Sequence, residues 1–176
     1  MLKIVLIGLV AFIGLVTVLG IVAPRDMKIE KSIVINQPKD KVFEYLRYLK
    51  NGSEWSPWEK KDPHMVKTCR GVDGQVGAVG AWSGNNEVGV GEQEIKAITE
   101  GQRIDTELRF QKPMKTTSQG YLITESLGEV QTKVTWGMTG RSSFPGNVIC
   151  LVMHMNKKVG GEFESGLASL KTILEK

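Results

Sequence analysis

The spacing of apolar and polar positions changes several times along the chain, and each change marks an element. From Ile4 to Ala23 there is no alternation: 20 consecutive residues, IVLIGLVAFIGLVTVLGIVA, carry no charge. About 20 helical residues at 1.5 Å rise match the hydrocarbon core of a bilayer. Residues 1–24 are therefore expected to form a single-pass N-terminal transmembrane anchor, with residues 25–176 as a separate domain. Thr17 is the only hydroxyl in the run, Gly8, Gly14 and Gly20 are tolerated in lipid, and Pro24-Arg25 is expected to end the helix at the interface. The rival reading is a cleaved signal peptide, whose apolar region spans about 7–15 residues before a small-x-small site. Here the run is longer, and the best cleavage position, after Ala23, has Ile21 two residues before Ala23 and Pro24 directly following. A retained anchor is the preferred reading.

From Met27 to Asn36 the period is two: Ile29, Ile33 and Ile35 share one face, and Lys28, Glu30 and Ser32 the other, as in a half-buried strand. Pro38 pre-sets entry to a helix. KDKVFEYLRYL then places Val42, Phe43, Leu46 and Leu49 at helical spacing, with Asn51-Gly52 as the expected cap. Ser53 to Trp58 reads as a second, short helical turn. Between Met65 and Thr139 the period returns to two, broken by glycine-rich turns, and strands are expected near 65–70, 77–83, 87–98, 102–111, 115–125 and 130–139. In RIDTELRF, Ile104, Thr106, Leu108 and Phe110 alternate with Arg103, Asp105, Glu107 and Arg109. The last strand is expected to turn Val130, Val134, Trp136 and Met138 inward. Antiparallel strands with one wet face need a cover for the other. Between Phe144 and Glu175 the stripe Val148, Val152, Met155, Val159, Phe163, Leu167, Leu170 and Leu174 supplies it. This is one long helix or two joined at Gly160-Gly161, where glycines costing about 1 kcal/mol each favour a kink.

Composition narrows the class. Hydrophobic residues make up 41% and charged residues 24%, the balance of a globular protein, which excludes disorder. The 23 basic residues are scattered among 19 acidic ones for a net +4. No block of like charge suggests a nucleic-acid partner. Lys3 precedes the apolar run while Arg25, Lys28 and Lys31 follow it, a lean towards a cytoplasmic domain. Large domains cross regardless of such charges, so the side of the membrane stays open.

The order strand, two helices, six strands, long helix resembles the helix-grip superfamily of START lipid-transfer domains, birch-pollen-allergen-like proteins and polyketide cyclases (SRPBCC proteins). The resemblance covers residues 27–176. Its most specific pieces are KSIVINQPKDKVFEYL, NGSEWSPWEKKDP, KVTWGMTG and GGEFESGLASLK. Together they look like the bacterial polyketide-cyclase/dehydrase-like group with an N-terminal membrane segment. The resemblance implies an α+β helix-grip fold: a seven-stranded antiparallel curved sheet wrapped around the C-terminal helix, with an apolar cavity between them. Carriers, enzymes and sensors share this scaffold, so it does not settle activity.

The search for chemistry is correspondingly bare. No GxSxG, HExxH, P-loop or CxxC occurs, and no cofactor or metal is called for. His64 sits in a polar loop, and His154 lies off the apolar stripe as a partly exposed helical residue. Glu92 and Glu94 share one strand face, outward in the preferred reading, which leaves Gln93 inward with Ile95 and Ala97, suited to orienting a ligand. Trp55 and Trp58 either flank a cavity entrance or membrane interface or, in the slightly preferred reading, pack a corner. Cys69 and Cys150 are not placed by sequence in or out of a disulfide. The expected function is a membrane-tethered protein binding a small hydrophobic ligand or lipid, lined by Trp82, Gln93, Leu108, Phe110, Trp136, Met138, Met155 and Phe163. A cyclase-like enzyme, which would need an inward Glu92, Glu94 or His154, and a ligand-free interaction or stress-response module are the alternatives.

Overall fold

The computed structural model describes residues 1–176, apart from the side chains at positions 2, 4, 11, 12 and 15. The first helix, α1, spans Leu2–Val22. The expected anchor falls partly on those five positions, which lie outside the described residues. Among the described residues no helix is long and apolar enough to cross a membrane.

After α1 the chain forms β1 (Asp26–Ile35), α2 (Lys39–Leu46), a 3-10 turn at Leu49–Asn51, α3 (Gly52–Trp55) and α4 (Pro57–Lys61). Six strands follow: β2 (Val66–Arg70), β3 (Val79–Ser83), β4 (Val90–Thr99), β5 (Arg103–Lys112), β6 (Thr116–Ser126) and β7 (Thr132–Arg141). Two helices, α5 (Gly146–Val152) and α6 (Met155–Leu174), close the chain. Proline sets two helix starts. Pro38 precedes α2 at φ −58° and Pro57 opens α4, positions where the missing N–H has no intrahelical partner to lose.

The strands form one antiparallel sheet in the order β1-β7-β6-β5-β4-β3-β2. Register gives the sheet two distinct ends. Asp26 pairs with Arg141, Phe110 with Thr116, Val90 with Lys112 and Ser83 with both Val90 and Val66, so these residues share the end next to α1. Ile35, Thr132, Ser126, Arg103 and Thr99 mark the far end. α6 runs along β1 and the adjoining part of β7, from Met155 near α1 to the far end, where Glu175 accepts a 2.5 Å hydrogen bond from the Asn36 backbone N–H.

The main core sits at the far end. Leu167, Leu170 and Leu174 of α6 meet Ile35, Val134, Ile95 and Ile104 of the sheet and Val42, Phe43 and Leu46 of α2. Each fully buried side chain of this kind contributes about 1.5–3 kcal/mol. Gly166 lets α6 approach: a Cβ there would lie 2.8 Å from the Trp136 ring and 3.1 Å from Pro57.

Several expectations are corrected. The C-terminal helix breaks at Met153-His154, where His154 adopts φ 52°, and it runs unbroken through Gly160-Gly161. Gly160 serves close packing instead, since a Cβ there would sit 3.3 Å from Lys31 and 3.8 Å from Ile29. Val152 is consequently 63% exposed and off the stripe. Val130 lies before β7 in an exposed turn. A bulge between Ile95 and Ala97 turns Ala97 outward and brings Ile98 onto the core in its place. Finally, α2 ends at Leu46, and Gly52 begins α3 in place of capping the earlier helix.

Candidate functional site

The helix-facing rows of the sheet follow from register. Trp82 of β3 pairs with Gly91 of β4, Gly91 with Phe110 of β5, Gln93 with Leu108, and Leu108 with Ser118 of β6. All therefore share the face that carries Ile95, Ile104 and Val134 into the core. Trp82 and Phe110 meet edge to face at 5.8 Å, and the Trp82 ring lies across Gly91. Gln93 donates from Nε2 to Thr106 Oγ1 at 3.1 Å. Trp82, Gln93, Leu108 and Phe110 are only half-buried: α6 packs chiefly along β1 and meets β4 and β5 at the far end, through Ile95 and Ile104.

On the α6-covered side of the same face is an aromatic wall. Trp136 stacks on Phe163 with centroids 4.0 Å apart and planes 6° from parallel. Trp55 meets Trp136 edge-on at 4.7 Å and Trp58 does so at 5.8 Å. Trp55 is buried and packs the α3 corner, whereas Trp58 is half-buried beside Phe163. Met138 is buried with Ile29 and Phe163, and Met155 is half-buried at the start of α6. An open depression of about 440 Å³ lies at the α1 end of the sheet, lined mostly from its outer face by Asp26, Lys28, Thr117, Gln119, Thr139 and Arg141.

The groups considered for proton transfer lie elsewhere. Glu92 and Glu94 are on the outer face, where Arg109 bridges both at 2.7 and 2.8 Å and also Glu107. The Arg109 guanidinium, and then Arg70, hold the Glu92 carboxyl below its ordinary range. Lys96 and then Arg109 do the same for Glu94, and Arg109 for Glu107. His154 is exposed at the α5–α6 junction, with Nδ1 3.0 Å from the Val152 carbonyl, and His64 is exposed in its loop. Cys69 and Cys150 are free thiols.

Two polar features escaped the sequence reading. Lys31 faces α6 and pairs with Glu164 at 2.5 Å; its place in the alternation of β1 was legible, but its partner 133 residues away was not. Lys61 at the end of α4 bonds Glu162 of α6 at 2.6 Å and Glu87 of the β3–β4 loop at 3.2 Å. Asn85 of that loop donates to the Lys61 carbonyl at 3.0 Å. This clasp ties loop, α4 and α6 together near Trp82 and Trp58, and the hydrogen bond from Lys61 to Glu162 raises the lysine pKa above its ordinary value. No local motif signals it.

Comparison with known proteins agrees with this architecture. Zhui aromatase/cyclase from Streptomyces sp. R1128 superposes with a TM-score of 0.62 at 11% identity, over 85% of this chain and 94% of that one. Protein MLL2253 from Mesorhizobium loti gives 0.61 at 14% identity, over 84% and 96%. The Aha1 dimer from Colwellia psychrerythraea gives 0.56 at 19% identity, over 85% and 96%. At these identities the likeness establishes the helix-grip fold alone. None of the curated proteins matches the chain. Residues 26–175, the whole segment from β1 to the end of α6, match one family model, and the chain accordingly belongs to the polyketide cyclase / dehydrase and lipid transport family.

Proposed function

We propose that the chain is a membrane-tethered binding protein that holds a small hydrophobic molecule, such as a lipid acyl chain, between the sheet and its helices. The observation that carries this reading is the half-buried inner face of β3–β5, where Trp82, Leu108 and Phe110 are left uncovered by α6. A bound apolar chain would complete that burial, at about 0.8 kcal/mol for each methylene removed from water. Gln93, Thr106 and Ser118 supply polar atoms to orient one end of a ligand. Among the described residues, the helix-facing rows of β3–β7 carry neither histidine nor carboxylate. That composition favours binding over proton transfer, and the family description, which includes lipid transport, supports the same reading. The tether rests on the full uncharged run from Ile4 to Ala23 and on the 21 residues of α1, about 31 Å of helix.

The test is titration of the full chain with a fluorescent fatty acid of the nitrobenzoxadiazole type, beside the Leu108→Glu variant. Saturable uptake by the parent chain, lost in the variant, is the expected result. Equal uptake by both proteins would place the ligand elsewhere, and no uptake by either would remove the binding reading for acyl chains.

A further inference from the structure

α5 reverses the usual logic of a surface helix, which turns apolar residues inward and polar ones outward. Its one buried residue is polar: Asn147 is 1% exposed. The Asn147 amide donates from Nδ2 to the Gly20 carbonyl at 3.1 Å and the Ala23 carbonyl at 3.2 Å, which fastens α5 to the last turn of α1. Phe144, just before α5, lies on Gly20, where a Cβ would be 2.7 Å from its ring, and is still 56% exposed. The outward positions are apolar: Leu151 is 44%, Val152 63% and Met153 49% exposed. From Ser142 to Asn156 there is no charged side chain, and between Arg141 and Glu162 the only charges are those of Lys157 and Lys158.

We propose that α5, with Phe144 before it and Met153 after it, is a second membrane-contacting element that lies in the interfacial plane of a phospholipid bilayer. This rests on the reading of α1 as a membrane anchor. Three observations select a bilayer as the occupant. Asn147 and Phe144 fix α5 at the depth where α1 leaves its apolar run, so the exposed apolar surface continues that of α1. The flanking Arg141, Lys157 and Lys158 are exposed and suit anionic headgroups. Register then sets the same end of the sheet, with Trp82 and Phe110, against the lipid. In this placement a lipid chain passes between bilayer and inner face without crossing bulk water.

Depth measured by spin labels tests this in the full chain, reconstituted into vesicles of phosphatidylcholine and phosphatidylglycerol. In a Cys69→Ser/Cys150→Ser background a nitroxide is placed at one of three substitutions: Val18→Cys in α1, Val152→Cys in α5, or Val72→Cys in the exposed loop after β2. All three positions are exposed, so folding is not at issue. The ratio of collisions with oxygen to collisions with a water-soluble nickel chelate rises with depth. The expected result is a ratio several-fold above the position 72 value at position 152, and a higher one still at position 18. A deep label at 18 with a water-like label at 152 overturns the interfacial role of α5 and leaves the anchor standing. A water-like label at 18 overturns the anchor, and the α5 proposal with it.

Discussion

The two ends of the sheet-helix sandwich are packed to different standards: the far end is closed across the sheet, whereas the α1 end is closed on its β1–β7 side, by Ile29, Met138 and Phe163, and open at β3–β5. At the far end Ile35, Ile95, Val134 and Leu170 are completely buried, and α2 seals the layer from the side. At the α1 end Trp82, Phe110 and Trp58 are larger and yet remain half-buried. The open part at β3–β5 is where the proposed ligand would bind, much as low local stability collects at binding sites in general.

The strongest way to break this division is to truncate one residue from each end. Leu170→Ala removes a fully buried side chain and is expected to lower unfolding stability by about 3–4 kcal/mol. Phe110→Ala, although it deletes a larger group, is expected to cost less than half of that and to abolish fatty-acid uptake. Urea denaturation midpoints at unchanged slope report the first effect and the titration reports the second. Equal losses of stability would show that the α1 end is core like the other.

Trp136 lies between the two regions, half-buried, edge-on to Trp55 and Trp58 and stacked on Phe163. Trp136→Ala is expected to cost roughly 2–3 kcal/mol, below the full range for a buried indole, and to weaken binding as well. Trp136→Phe should recover most of the stability, because a single ring still stacks on Phe163. If the alanine variant loses stability with no change in uptake, the aromatic wall belongs to the core alone.

A smaller effect is expected at the clasp. Glu162→Gln leaves Lys61 with only the exposed Glu87 and should reduce stability by no more than about 1 kcal/mol. Because the clasp joins the β3–β4 loop to α4 and α6, its loosening is expected to speed fatty-acid release a few-fold, as read by stopped-flow chase. An unchanged release rate would separate the clasp from the route of the ligand.

How much of this was legible in the sequence differs between the same two regions. Strand periodicity gave all seven strands, the inward row of β5 and, apart from Val130, that of β7, because one wet face and one dry face leave a pattern of period two. The far-end stripe Phe163, Leu167, Leu170 and Leu174 was equally plain. The errors cluster where the chain stops obeying a single period: at the bulge that exchanges Ala97 for Ile98, and at α5, whose apolar residues prolong the stripe without facing the sheet. Val148 and Val152 look like core by spacing, and it is the Asn147 contact with α1, 127 residues back in the chain, that turns the segment away. Half-burial at Trp82 and Phe110 was beyond sequence for a related reason. Periodicity tells which face a residue takes and carries no information on whether a helix arrives to cover it.

The smallest expected effect is an electrostatic one, and it sharpens the comparison because it loosens only one end. Glu92, Glu94 and Glu107 converge on Arg109 across the outer face of β4 and β5, behind Gln93 and Leu108. Their pKa values are depressed in the folded chain, so the stability they contribute is present in full above the unfolded value near 4.3 and is lost as pH falls through the depressed folded values. Acid is therefore expected to raise amide hydrogen exchange, corrected for intrinsic rate, in the β4–β5 pair below about pH 4, while the far-end amides of β1 and β7 stay protected. In Arg109→Gln the three carboxylates lose their shared cation and repel one another, so their protonation begins at higher pH and repulsion loosens the pair already at neutrality. A profile that Arg109→Gln leaves unchanged would mean that the outer-face cluster is surface charge with no hold on the open end, and that the strands behind Gln93 are kept in place by backbone pairing alone.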